Sequence, residues 1–152
     1  MVGNKWLIAG GTLSLVAANL HLAVIAGGGP WYRFFGAGEE MARAAERGSL
    51  APALMTFGIA AVLAVWALYA FSGAGLIRRL PLLRTALIVI SGVYLLRGLA
   101  LVPLLVLRPD LVGTFEVVSS LIVLAYGLAY AIGTWTAWPA LKACTAARER
   151  YS

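Results

Sequence analysis

The sequence predicts an all-α fold: a polytopic membrane protein built as a four-transmembrane-helix bundle, with a short interfacial helix between the first and second helices. Three observations carry this. Of 152 residues, 62% are hydrophobic and only 12% charged, which is more apolar surface than a soluble domain of this length can hide. The apolar residues fall into four runs, at 6–26, 50–71, 86–107 and 111–135, each long enough for a helix that needs about 20 residues to cross the hydrocarbon core. Between the runs stand clusters of glycine, proline and arginine, which punctuate helices. Residues 1–152 then form one domain, because four spans with their connections leave little of the chain for anything else.

The first run, 6–26, has Lys5 before it and Gly27-Gly28-Gly29-Pro30 after it. It is long enough to span and lacks a small-residue cleavage motif, so it reads as a retained helix ended by the glycines rather than as a signal peptide. The next segment, 31–48, gathers aromatic and charged residues. Trp31, Tyr32, Phe34 and Phe35 are types that settle at the headgroup boundary, and Arg33 sits among them. A short helix is expected from Glu39 through Glu40 to Arg47, with a Glu39–Arg43 pair four residues apart. Met41, Ala44 and Ala45 give it a weak apolar side. It reads either as a solvated connector anchored by its aromatics or as a lid folded back over the bundle.

Ser72-Gly73-Ala74-Gly75 and Arg78-Arg79-Leu80-Pro81 separate the second run from the third. Arg108-Pro109-Asp110 joins the third and fourth so tightly that these helices must be antiparallel neighbours, with Asp110 placed to cap the fourth. The stretch 139–152 is expected to be a short helical tail in solvent.

Charge sets the orientation. Twelve Lys and Arg stand against six Asp and Glu, but the basic residues are scattered between apolar runs, which fits membrane topology and not nucleic-acid binding. Lys5, Arg78, Arg79, Arg84, Lys142, Arg148 and Arg150 flank one side, and Arg33, Arg43, Arg47 and Arg108 the other. The excess favours a multi-pass protein of the cell inner membrane with both termini cytoplasmic and the 31–48 segment outside. Cys144 is the only cysteine, so no intramolecular disulfide or paired-thiol redox chemistry is available. One histidine and isolated carboxylates do not reproduce the ligand spacing of a zinc or iron site, and no P-loop, dinucleotide fingerprint or Ser-His-Asp pattern appears; neither a metal nor a cofactor is expected.

Three ionisable residues fall inside spans: His21, Arg97 and Glu116. A charge near the centre of a spanning helix costs about 2.5–3.5 kcal/mol on insertion scales, so each calls for a partner, a wet cavity or a task. In the expected orientation His21 and Glu116 lie roughly 7 Å and Arg97 roughly 16 Å below the outer boundary, at 1.5 Å per residue, so all three can meet in the outer half. On the last span Glu116, Ser120, Gly127, Tyr130 and Thr134 form one polar stripe. His21 shares its face with Gly10, Ser14, Ala17 and Ala18, Arg97 shares its face with Tyr94, and Pro103 is placed to kink the third span. The candidate pocket is therefore His21, Arg97, Glu116, Tyr94, Ser120 and Tyr130. Gly58, Ala61 and Ala64 offer a further small-residue face on the second span.

Two readings of this cluster stand. One is a buried Arg97–Glu116 ion pair, with His21 and Tyr94 hydrogen-bonding to it, that keeps the helices in register. The other is an outward-facing polar pocket of a binding or accessory module for a small anionic molecule or lipid headgroup, working in the lipid bilayer with a membrane partner or as a homodimer. Alternatives of other classes are an intramembrane enzyme acting on a lipid or isoprenoid-like substrate, with Glu116 or His21 as acid or base and Arg97 steadying an anion, and a dimeric proton-coupled transporter.

The succession PWYRFFGAGEEMARAAERGS, a span, SGAGLIRRLPLLR and YLLRGL, over roughly residues 29–98, resembles a group of uncharacterised small bacterial four-helix inner-membrane proteins. The layout of a four-span bundle with a long first outer loop is also similar to that of DoxX-like proteins. The likeness implies the four-span fold and a bacterial membrane, and it brings no functional residue with it.

Overall fold

The computed structural model describes residues 3–149, apart from the side chains at 111 and 142–149; Arg150 and the side chains of Lys142, Cys144 and Arg148 lie outside the described residues. In chain order the elements are α1 (Lys5–Phe34), α2 (Glu39–Glu46), α3 (Ala51–Gly73), α4 (Leu83–Leu99), α5 (Leu101–Leu107), a short 3₁₀ turn (Pro109–Leu111) and α6 (Thr114–Glu149). The segments Lys5–Phe34, Ala51–Gly73, Leu83–Leu107 and Thr114–Leu141 are long and apolar enough to cross a membrane, which makes this a multi-pass membrane protein with a four-helix bundle.

α1 starts at Asn4, whose side-chain oxygen accepts from the N–H groups of Trp6 and Leu7 at 3.1 and 3.2 Å. The amide nitrogen of the same side chain donates to the Gly133 carbonyl and to Thr136 Oγ1, both at 2.9 Å, so one residue caps α1 and ties it to α6. The glycine run does not end this helix, contrary to expectation. Gly28 alone leaves helical geometry, at φ 63 and ψ −152, a region open almost only to glycine; Pro30 follows without an N–H to give. The chain kinks there and continues as helix to Phe34. It stops in a Schellman turn, in which Ala37 N–H bonds the Tyr32 carbonyl and Gly36 N–H that of Arg33.

α2 folds back onto α1 and α3 as the lid alternative describes. Its buried side is led by Ala42, which with Val24 and Tyr32 forms a small apolar cluster joined by Phe35, Met41 and Ala45. Met41 and Ala45 of the expected face pack there, while Ala42, which that face omitted, is the buried centre and Ala44 stays half-buried outside the cluster.

The bundle is two tight pairs, α1 on α3 and α4 on α6, joined chiefly where α1 meets α6. Glycine lets backbones approach at these contacts. A Cβ at Gly98 would lie 2.8 Å from Leu124 Cα, and one at Gly127 would lie 2.9 Å from Leu95 N. On α1, Gly10 lies under the Tyr130 ring, and the expected small-residue face of this helix is buried at Gly10, Ser14 and Ala18. On α3 the buried small residues are Ala60, Ala67 and Ala70. Gly58 and Ala61 face outward and Ala64 is half-buried, so that expected face is corrected by rotation about the helix.

The third span breaks at Ala100, between α4 and α5. Pro103 explains it: lacking an N–H, it leaves the Leu99 carbonyl without a helical donor, and its ring crowds that carbonyl. α5 has no buried residue. The fourth helix begins at Thr114, not at 111, and Asp110 does not cap it; Arg108 takes the Asp110 carboxylate at 3.0 Å instead. No separate tail begins at 139, since α6 runs through Pro139 to Glu149. Aromatic residues ring both ends of the bundle. Trp6 and Trp135 stand at the end holding the termini, Trp31 and Phe34 at the other, and Trp135 is 83% exposed. From Trp6 to Trp31 the helix measures roughly 37 Å at 1.5 Å per residue, a fit to the hydrocarbon core plus its boundary.

Candidate functional site

The polar residues that the sequence brings into one cluster separate in three dimensions into independent arrangements. Tyr94 and Tyr130 are buried in the middle of the bundle, and each approaches Ser14 Oγ at 2.9 Å. Tyr130 also donates to the Trp66 carbonyl at 3.1 Å. The direction of every bond follows, because each hydroxyl has one hydrogen. Tyr130 spends its hydrogen on Trp66, so Ser14 donates to Tyr130, and Tyr94 donates to Ser14. This chain runs α4, α1, α6, α3 and touches all four spans. Tyr94 also stacks edge-on against Trp66 and Tyr126, with centroids 4.9 and 5.5 Å apart. With every hydroxyl hydrogen committed, the arrangement ties helices and offers no donor to a ligand. Ser14 enters the sequence reading only as a small residue; a hydroxyl on a face otherwise of glycine and alanine is the signal that points to it.

Arg97 sits on the outside of the α4–α6 contact, which Gly98 and Gly127 draw close. Its Nη1 donates to Ser120 Oγ at 3.3 Å. Ser120 is buried and Arg97 exposed on the flank of the bundle. The expected Arg97–Glu116 ion pair is not formed: among the described residues no carboxylate lies within ion-pair distance of Arg97. Glu116 is the third residue of α6 and reaches back to the N–H of Gly113 at 2.9 Å, the reciprocal half of a capping box. That local bond keeps the carboxylate at the start of its own helix, away from Arg97. His21 is half-buried, and its Nδ1 lies 2.7 Å from the Ala17 carbonyl, so this nitrogen carries the hydrogen. No hydrogen bond or ion pair joins His21, Arg97 and Glu116 to one another among the described residues. Thr134, the last member of the expected stripe, is buried, with no partner for its hydroxyl among the described residues.

The interfacial residues form a charged network at the α2 end. Arg33 bonds Glu39 at 2.8 Å and Glu46 at 3.0 Å, and Arg43 takes Glu39 at 2.8 Å, the pair expected from their spacing. The Arg33 guanidinium, helped by Arg43, holds the Glu39 carboxyl down at about 2, and Arg33 lowers Glu46 as well. Glu40 is exposed beside them. Trp31 is exposed and rests on Phe35 with centroids 5.9 Å apart, while Tyr32 is buried under α2. The network fastens α2 to the end of α1.

At the opposite end a cavity of about 810 Å³ opens between the α3–α4 loop, the start of α4 and α6, lined by Arg78, Arg79, Arg84 and Trp138 among others. In the sequence these arginines mark the orientation of the chain. Three of them within seven residues, followed by a tryptophan at the same end of the last span, was the available signal.

Among the described residues no group of three His, Cys, Asp or Glu side chains is placed to hold a metal ion. Fold and side chains together define a small four-helix integral membrane protein in which most span-embedded polar groups are consumed by the bundle itself; Arg97, held by Ser120 alone, and Thr134, without a partner among the described residues, stand apart. Compared with known proteins, the chain matches no family model, no curated protein and no solved structure.

Proposed function

We propose that this chain is a binding or accessory module of a bacterial inner membrane, with both termini in the cytoplasm, that holds a small anionic molecule or lipid headgroup at Arg97. One observation carries the reading. A guanidinium within a spanning segment is bonded by a single serine hydroxyl at 3.3 Å and has no described carboxylate beside it. Such a charge costs about 2.5–3.5 kcal/mol near a helix centre, and an anion that meets it offsets that cost. Ser120, which accepts from Arg97, retains its own hydrogen for the same ligand. Binding is favoured over turnover because neither His21 nor Glu116 bonds to Arg97: one ring nitrogen of His21 is engaged with Ala17, and Glu116 caps its own helix.

The test is thermal stability of the purified protein against a panel of acidic lipids and small carboxylates and phosphates. At least one anion should raise the melting temperature of the native protein, Arg97→Lys should keep part of the response, and Arg97→Leu should lose it. Equal responses of the native and Arg97→Leu proteins to every anion would sink the proposal.

A further inference from the structure

We infer that the cavity at the α3–α4 loop is a separate site for the phosphate-bearing headgroup of an anionic phospholipid. The inference goes beyond the Arg97 reading and does not rest on it, since the two sites lie toward opposite ends of the bundle.

The chemistry of the walls is that of a lipid at the membrane boundary. Arg78, Arg79 and Arg84 bring three guanidinium groups to one cavity of about 810 Å³, and Ile88 and Leu141 supply apolar wall. The volume is that of a small-molecule site, large enough for a headgroup and the start of its chains. Guanidinium forks match phosphate oxygens two at a time. The Arg84 guanidinium carbon lies 4.6 Å from the Trp138 ring centroid, a cation–π contact that orients the group without neutralising it.

The loop that carries the other two arginines is held in place. Ser72 Oγ donates to the Arg78 carbonyl at 3.1 Å and accepts from Leu80 N–H at 3.0 Å, so the backbone is fixed to the end of α3 while both arginines stay exposed. Leu82 then turns the chain at φ 53, a left-handed conformation that a leucine seldom adopts. The turn buries Leu83 and leaves Arg84 and Thr85 lining the cavity. The first turn of α4 has no side-chain cap, and its free N–H groups add to the positive potential that the arginines create.

Charge complementarity names the occupant. Five of the six acidic residues, Glu39, Glu40, Glu46, Asp110 and Glu116, belong to the α2 end of the bundle, and the sixth is Glu149 at the end of α6. None of the three cavity arginines has a described carboxylate partner. A free phosphate would answer that charge but leave the exposed apolar wall at Ile88 uncovered. A phospholipid meets both, and the aromatic belt of Trp6 and Trp135 at this end sets the cavity at headgroup depth.

The test uses the full-length protein in a neutral detergent, titrated with phosphatidylglycerol, phosphatidylcholine or inorganic phosphate and read by native mass spectrometry. Phosphatidylglycerol should bind far more tightly than the other two. Each arginine removed should weaken it about fivefold, from the contribution of one basic side chain to anionic-lipid binding; Arg78→Gln with Arg79→Gln should therefore cost roughly 25-fold. Arg84→Gln removes the contact with Trp138 as well as the charge, so the exposed Arg78/Arg79 pair is the decisive variant. Undiminished phosphatidylglycerol binding by that pair overturns the site. Equal binding of phosphatidylcholine overturns the charge recognition, and inorganic phosphate as tight as phosphatidylglycerol makes it a free-anion site and overturns the lipid.

Discussion

Ser14 on α1 gives its only hydroxyl hydrogen to Tyr130 on α6, 2.9 Å away, and thereby fixes the direction of a hydrogen-bond chain from Tyr94 through Ser14 and Tyr130 to the Trp66 carbonyl. Ser14→Ala breaks two of its three links and leaves the Tyr94 hydroxyl buried without an acceptor. The expected loss is about 1 kcal/mol, rising towards 3 if no water enters, with interhelical bonds in membranes at the lower end. Tyr130→Phe removes the same number of links. Because Ser14→Ala and Tyr130→Phe share one bond, their losses should be less than additive, and unfolding in detergent measures this directly. Strict additivity would mean that the chain is not formed.

Glu116 and Arg97 should show no coupling. Glu116 bonds the Gly113 N–H and Arg97 bonds Ser120, so Glu116→Leu is the loss of a cap, about 0.5–2 kcal/mol. A buried ion pair would instead lose about 3–5 kcal/mol, and Arg97→Leu would then restore much of it. A double-mutant cycle over the two positions should return a coupling near zero, and a rescue larger than about 1 kcal/mol would restore the ion pair.

Glycine substitutions should sort by what the Cβ meets. At Gly98 it would lie 2.8 Å from the Leu124 Cα, a backbone atom that cannot give way, and at Gly127 it would lie 2.9 Å from the Leu95 nitrogen. Alanine at either position forces α4 from α6 and should cost about 1–3 kcal/mol. At Gly58 nothing lies within 4 Å, so alanine there should be neutral or stabilising by up to about 1 kcal/mol through helix propensity. Thermal midpoints of the three variants decide it, and a Gly98→Ala protein as stable as Gly58→Ala would contradict the close α4–α6 contact.

Acid should release α2. Glu39 titrates at about 2 when held by Arg33 and Arg43, against an ordinary 4.5. A carboxyl lowered on folding stabilises the folded arrangement above its ordinary value and loses that contribution as pH falls toward the lowered one. Docking of α2 should therefore be constant from pH 7 to about 5 and weaken between about 4.5 and 2. The groups are exposed, so the effect is small and salt-sensitive. Trp31 fluorescence, in a protein whose other tryptophans are phenylalanine, should report the change, and Arg33→Gln should flatten it. An unchanged profile in Arg33→Gln would detach the network from the docking of α2.

By itself the sequence determined the number of spans, their approximate limits, the all-α class, the Glu39–Arg43 pair and the protein-facing stripe of Ser120, Gly127, Tyr130 and Thr134. These are properties of one segment at a time: the bilayer demands length and apolarity from each helix separately, and a polar stripe shows in the phase of a single helix. Only the tertiary structure decided that Ser14 links Tyr94 to Tyr130, that Arg97 meets Ser120 while Glu116 stays with Gly113, that α3 buries Ala60 and Ala67 but not Gly58, and that Arg84 shares a cavity with Trp138. Helix rotation in a membrane leaves little trace in hydropathy, because lipid is as apolar as the bundle interior and both faces of a span read alike. The rotation is set instead by where backbones can touch, at Gly98, Gly127 and Gly133, and those contacts exist only once two helices are brought together.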